Sequence, residues 1–171
     1  VRDDIDRVAY LRRFRRAARG HGWKVHADCL LDTHHHAVLT TREPNLGHGM
    51  RLVLGGHAAW FNARHGGSSS LFADRYWSRR AEAHLVRACI YALVDPVVAG
   101  LVDHPSQWRW SSWNEIAERG CSDAIAAATD GTAGFLELVE LAVARIHERR
   151  PRTTHEAWTA IALPPQAEGR G

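Results

Sequence analysis

Four side chains in this sequence have the types and spacing to do chemistry together. His34 and His36 stand two apart in a segment rich in apolar and β-branched residues, His34 to Thr41, which reads as a strand. Strand side chains alternate between faces, so both imidazoles project from one side with Cα atoms about 7 Å apart, close enough to share a cation. Tyr91 and Asp95 are spaced i, i+4 in a segment with helical periodicity, which puts a potential nucleophile and a potential ligand on one face. Each pair has an ordinary explanation when taken alone. The chain has 12 histidines, Tyr91 reads equally as a core aromatic, and Asp95-Pro96 is a common turn starter. A carboxylate near a helix C-terminus is also disfavoured by about 0.3–1 kcal/mol, which a bound cation would offset.

The elements needed to position these groups follow from hydrophobic periodicity. Ile5, Val8, Leu11, Phe14 and Ala18 form the stripe of a helix over 4–19, stopped by Gly20 and Gly22. Segments 23–31 and 34–41, broken at Asp32 and Thr33, predict an antiparallel hairpin. A second helix spans 47–65, with Gly55 and Gly56 placed for close packing on a sheet. A loop at 66–70 leads to a short strand over 71–77, then to a helix over 80–94 that Pro96 ends. Beyond residue 100 the pattern predicts a turn near Trp108, Trp110 and Trp113, a short helix at 124–128 and a longer one at 135–147. The tail from Arg149 onward reads as mobile. The order is that of an α+β protein.

At 171 residues the chain is long enough for one ordinary domain, and a 45% hydrophobic fraction with seven Trp excludes a disordered chain. The basic residues are 21 Arg and one Lys, and the net charge is only +3. Arg12, Arg13, Arg15, Arg16 and Arg19 cluster near the N-terminus, which fits a phosphate-binding face or a merely solvated one. Cys29, Cys89 and Cys121 form no CxxC pair, so neither a disulfide framework nor a thiolate zinc site is expected. With no apolar run of about 18 residues and no basic-then-apolar leader, the expected location is the cytoplasm, and no membrane partner is expected.

Several ordered segments carry a family resemblance. CLLDTHHHAVL at 29–39 resembles the His-hydrophobic-His (HUH) segment of the REP-associated tyrosine transposases, a branch of the single-tyrosine DNA-nicking transposases. YALVDPVVAGLV at 91–102 is similar to their catalytic-tyrosine helix, and WFNARHG at 60–66, LFADRYW at 71–77 and WSSW at 110–113 fall at matching separations. The resemblance implies a ferredoxin-like (RRM-like) antiparallel sheet with helices on one face, of the HUH endonuclease type, over residues 1–115. A helical extension over 116–150 and a mobile tail over 151–171 complete the expected organisation. It further implies that Tyr91 is the nucleophile, that His34, His36 and Asp95 hold Mg²⁺ or Mn²⁺, and that Asp95 replaces the family's usual Asn. His35 takes a place that is usually apolar, and Asp32 and Thr33 replace a Pro-Asn pair. The strand expected before the first helix is missing, so the 171-residue chain by itself is expected to be poorly soluble or inactive until upstream residues are restored.

The implied partner is single-stranded DNA beside a short hairpin, bound by a monomer or homodimer associated with the nucleoid. Arg75, Trp77, Arg79 and Arg80, with Arg15, Arg16 and Arg19, are the candidate DNA contacts, through phosphate pairing and base stacking. Two other readings stand beside this one. A DNA-binding relative that has lost nicking would form no covalent adduct, and a small metal-dependent phosphoester hydrolase with a structural Tyr91 would turn over simple esters without one.

Overall fold

A computed structural model of the chain describes residues 1–68, 70–151 and 153–161. It is an α+β protein with a two-stranded antiparallel sheet, helix being the larger part. In chain order the elements are α1 (Asp4–Gly20), β1 (Lys24–Leu30), β2 (His35–Thr40), α2 (Leu46–His65), α3 (Leu85–Val98), α4 (Trp113–Arg119), α5 (Asp123–Ala128), α6 (Gly131–Arg149) and α7 (Thr154–Ala160). Single 3-10 turns at Glu82–His84 and Pro105–Gln107 precede α3 and α4. No helix among the described residues is long and apolar enough to cross a membrane.

The chain divides into two compact units, one of residues 1–25 and 39–80, the other of 26–38 and 81–171. The residues read as a helical extension, 116–150, therefore group with the hairpin and α3.

In the first unit α1 packs on α2. Asp3 caps α1 by accepting the Asp6 N–H at 3.0 Å, and Asp4 and Asp6 place negative charge at the positive end of the helix dipole. Tyr10, Leu11, Phe14 and Ala17 are buried, as are Trp23, Val53 and Phe61, and the Phe14 and Trp23 rings stand 6.4 Å apart. The glycine that permits close approach is Gly49, where a Cβ would collide with the Trp23 indole. Gly55, expected to serve that purpose, has no atom within 4 Å of its would-be Cβ, and Gly56 meets only the flexible Arg13 at 3.6 Å.

The strand expected over 71–77 does not form. Only Leu71, Phe72 and Tyr76 in it are partly buried, a spacing that no two-residue repeat produces, and Asp74 accepts the Arg75 N–H at 2.6 Å, a local bond that competes with a strand ladder.

In the second unit the hairpin closes tightly, with the Leu31 N–H donating to the His34 carbonyl at 2.9 Å. The other edge of β1 is partly covered by the tryptophan segment. Leu30 N–H donates to Trp110 O and Ser112 N–H to Asp28 O, both at 2.9 Å, around an antiparallel bridge between Cys29 and Ser111.

α3 is the central helix, buried at Val86, Cys89, Ile90, Leu93, Val94 and Val97 against Ala27, Ile125, Phe135, Val139 and Val143. A helix apolar on nearly every side belongs inside a core. α3 also continues through Pro96 to Val98. An interior proline costs a helix about 3 kcal/mol, an amount that burial of Val94, Pro96 and Val97 offsets. The real stop is Gly100 at φ +67°, where Leu101 N–H reaches back to the Pro96 carbonyl at 3.0 Å.

Part of the expected mobile tail is also structured. Thr154–Ala160 form α7, and Ala157, Ala160 and Ile161 are buried in the second unit, because their i, i+3 and i, i+4 spacing makes a small apolar face. Residues 162–171 of that tail lie outside the described residues.

Candidate metal and nucleophile site

The hairpin turn and α3 bring the four sequence-derived residues together within the second unit. His34 lies in the turn just before β2 and His36 is the second residue of that strand, so the pair straddles the strand start. The two-residue spacing still sets both rings on one side, with centroids 4.9 Å apart at 72°. Asp95, carried by α3, faces them. His34 Nε2 and Asp95 Oδ2 are 2.8 Å apart, and His36 Nε2 is 3.6 Å from the same oxygen. Tyr91, one turn earlier on α3, meets the His36 ring edge-on at 5.3 Å between centroids.

Burial sorts these groups by function. Asp95 is only 8% exposed, so its carboxylate has exchanged water for the two imidazoles, while the side chains of His34 and His36 are 45% and 37% exposed and open to a ligand. Desolvating a carboxylate is costly unless hydrogen bonds or cations replace the water. The hydrogen bond to Asp95 raises the His34 pKa above its ordinary value, although partial burial opposes the shift. Burial lowers that of His36, with the Asp95 charge opposing and His34 and His35 reinforcing.

The donor set fits a divalent cation. Two imidazole nitrogens and a carboxylate oxygen all lie within 4.8 Å of one another. Ligands about 2.1 Å from a shared ion stand within about 4.2 Å of each other, and the exposed histidine side chains have room for that small contraction. Two imidazole nitrogens and one carboxylate oxygen suit zinc or manganese at least as well as magnesium, so the geometry alone does not choose a metal.

His35 points to the opposite face, as strand alternation requires. Its Nε2 is 3.3 Å from Asp28 Oδ2, and both side chains are buried, at 6% and 8% exposure. The partner carboxylate removes the cost expected for a buried imidazole at a usually apolar position. Nothing in the sequence pointed to Asp28, since the pairing crosses the hairpin from a strand read as apolar.

Two further residues beside Tyr91 were not singled out. Arg87 precedes Tyr91 by four residues, and the Trp158 ring of α7 lies 5.7 Å from the Tyr91 ring. The 87, 91, 95 periodicity was there to be read, whereas Trp158 fell in a segment read as mobile. The candidate DNA contacts Arg15, Arg16, Arg19, Arg75, Trp77, Arg79 and Arg80 all belong to the first unit and are exposed, Trp77 at 80%. Comparison of the chain with family models, with curated proteins and with solved structures returns no match.

Proposed function

We propose that this protein nicks and rejoins single-stranded DNA through a tyrosine-linked intermediate, as a transposase of the single-tyrosine HUH type. One observation carries the reading: the His34, His36 and Asp95 donors converge beside the ring of Tyr91, with the ligand-bearing strand start and the tyrosine helix in one compact unit. The segment resemblances over residues 29–39 and 91–102 support it independently of that geometry. In the finer fold reading, the hairpin is the histidine-bearing pair of a ferredoxin-like sheet, with which an antiparallel β1–β2 pair is compatible.

A free phenol with a pKa near 10 is about 0.1% ionised at pH 7, so attack needs charge stabilisation at the phosphate. A Mg²⁺ or Mn²⁺ held by His34, His36 and Asp95 would supply it as a Lewis acid on a non-bridging oxygen. Tyr91 Oη attacks phosphorus, forming the phosphotyrosine ester while the bond from phosphorus to the 3′ oxygen breaks. The phenol gives its proton to water and the departing oxygen takes one up, leaving a 5′-phosphotyrosine and a free 3′-hydroxyl. One phosphoester replaces another, so a second 3′-hydroxyl can reverse the step and join a new end. Asp95 sets the orientation of both histidines, and α3 holds Tyr91 at a fixed place beside them, which lowers the entropic cost of alignment. Within the first unit, exposed Trp77 with Arg75, Arg79 and Arg80 are the candidate stacking and phosphate contacts for DNA, and Arg15, Arg16 and Arg19 add cationic charge along α1. The protein acts as a monomer or homodimer, in the cytoplasm and on the nucleoid.

The test is incubation with end-labelled single-stranded hairpin DNA and Mn²⁺, followed by a denaturing gel. A labelled band at protein mass that requires both cation and Tyr91 is expected. DNA binding without the band would favour a non-nicking relative, and turnover of a simple phosphoester without it would favour a hydrolase.

A further inference from the structure

Arg87, Tyr91 and Asp95 recur every four residues along α3 and so share one face, each about 6 Å along the helix axis from the next. Tyr91 occupies the middle position of that face, between Arg87 and the candidate ligand Asp95. Trp158 of α7 lies against the first two. Its indole centroid is 5.7 Å from the Tyr91 ring, tilted by 60°, and the Arg87 guanidinium carbon stands 4.4 Å from the same indole. Arg87 Nη2 also donates to the Trp158 backbone carbonyl. Ala157 and Ile161, buried on either side, seat α7 in the core, so the indole is carried by a packed element.

One ring therefore contacts both a permanent cation and the Tyr91 ring. A guanidinium remains protonated throughout the folded range, and its planar fork matches phosphate oxygens. Stacking on an indole restrains the orientation of that fork.

We propose that Arg87 is a phosphodiester-binding side chain of the Tyr91 site, and that Trp158 is a positioning residue holding Arg87 and Tyr91 in register. The inference rests on the reading of Tyr91 as the nucleophile. Displacement at phosphorus concentrates negative charge on the non-bridging oxygens, and Arg87 meets that charge from the side of Tyr91 opposite Asp95. The substrate class is a strand phosphodiester, and the reacting bonds and protons are those already given for Tyr91.

The test compares wild type with Arg87→Gln, Arg87→Lys, Trp158→Phe and Trp158→Ala, each checked by thermal melting. Two quantities are measured: metal-free affinity for fluorescent single-stranded hairpin DNA across a salt series, and the single-turnover rate of adduct formation with Mn²⁺ at saturating DNA. Arg87→Gln is expected to reduce the slope of log affinity against log salt by about 0.7, the loss of one single-strand phosphate contact. Its adduct rate should fall about 100-fold, and Arg87→Lys should restore the salt slope and part of the rate. Trp158→Ala should slow the adduct about tenfold with less than about threefold change in affinity, while Trp158→Phe, which keeps an aromatic face, stays near wild type.

An Arg87→Gln protein with unchanged salt slope and unchanged rate overturns the proposal, and because Gln removes the charge while retaining a hydrogen-bonding side chain, a folded variant answers the question. If wild type forms no adduct yet Arg87→Gln loses the salt slope, the nicking reading falls and the phosphate contact stands. If wild type forms the adduct and Arg87→Gln does so equally well with an unchanged salt slope, the reverse holds.

Discussion

At the scale of single residues, strand alternation divides three consecutive histidines between two jobs. His34 and His36 share the Asp95 carboxylate, and His35 pairs with buried Asp28. Replacing His34 or His36 by Ala should abolish cation-dependent cleavage at a smaller cost in stability than His35→Ala, because the remaining imidazole, and water entering at the exposed position, keep the Asp95 carboxylate partnered. Replacing His35 by Ala should cost about 1–3 kcal/mol of stability, since it leaves the Asp28 carboxylate buried without its imidazole. Cleavage assays and urea unfolding of the three variants check this division. Equal loss of activity in a stably folded His35→Ala protein would contradict it. The candidate ligands and nucleophile were legible because each lies within a short sequence interval of its neighbour: two residues for the histidines, four for Tyr91 and Asp95. Asp28 and Trp158 were not, since their partners lie across the hairpin and on another helix.

At the scale of elements, Gly49 and Gly100 make sharper claims than the glycines that first drew notice. Gly49→Ala drives a methyl group into the Trp23 indole and should cost about 1–3 kcal/mol, whereas Gly55→Ala, facing open space, should be neutral or slightly stabilising. Gly100→Ala should cost about 1 kcal/mol or somewhat more by forcing a side chain into the left-handed region at the end of α3. Chemical denaturation of the three variants tests the order. Five of the helices and the hairpin were legible in the sequence, all but the short α5 because each has an apolar stripe long enough to be counted. The strand over 71–77 was misread because Leu71, Phe72 and Tyr76 are apolar or aromatic without alternating, and no strand among the described residues pairs with them. The stop at Pro96 failed for a different reason. Burial on both sides of the proline outweighs a single lost hydrogen bond, and that burial comes from α6 and other elements far away in sequence.

At the scale of the whole molecule, the first unit carries an acid sensitivity separate from the candidate site. His57 on α2 is buried among Tyr10, Trp60, Phe61 and Phe72, and neither ring nitrogen has a hydrogen-bond partner among the described residues. Burial, with help from the Arg13 charge, depresses its pKa to about 4. The unfolded chain, titrating near 6.5, therefore binds more protons between pH 6.5 and 4, and stability falls as pH is lowered through that window. Asp6 behaves in the same direction lower down. Burial would raise its pKa, but hydrogen bonds from His65, the Arg2 backbone and Arg64 outweigh that and hold it at about 2. The stability from that network is present above the unfolded value of 3.8 and is lost as pH falls toward 2. Urea unfolding between pH 7 and 3 should show the loss beginning near pH 6.5. His57→Leu should remove that upper step and be no less stable at pH 7, because it deletes two buried nitrogens that have no hydrogen-bond partner among the described residues. An upper step of undiminished size in the Leu variant would assign it to another group.

The central claim concerns one covalent bond, and peptide mapping of the DNA-linked protein tests it most directly. After reaction with Mn²⁺ and single-stranded hairpin DNA, nuclease trimming and proteolysis should leave one peptide carrying a nucleotide on Tyr91, and none in a folded Tyr91→Phe protein. A nucleotide on Tyr10 or Tyr76, or no linked peptide from a protein that binds the same DNA and the metal, would contradict the account.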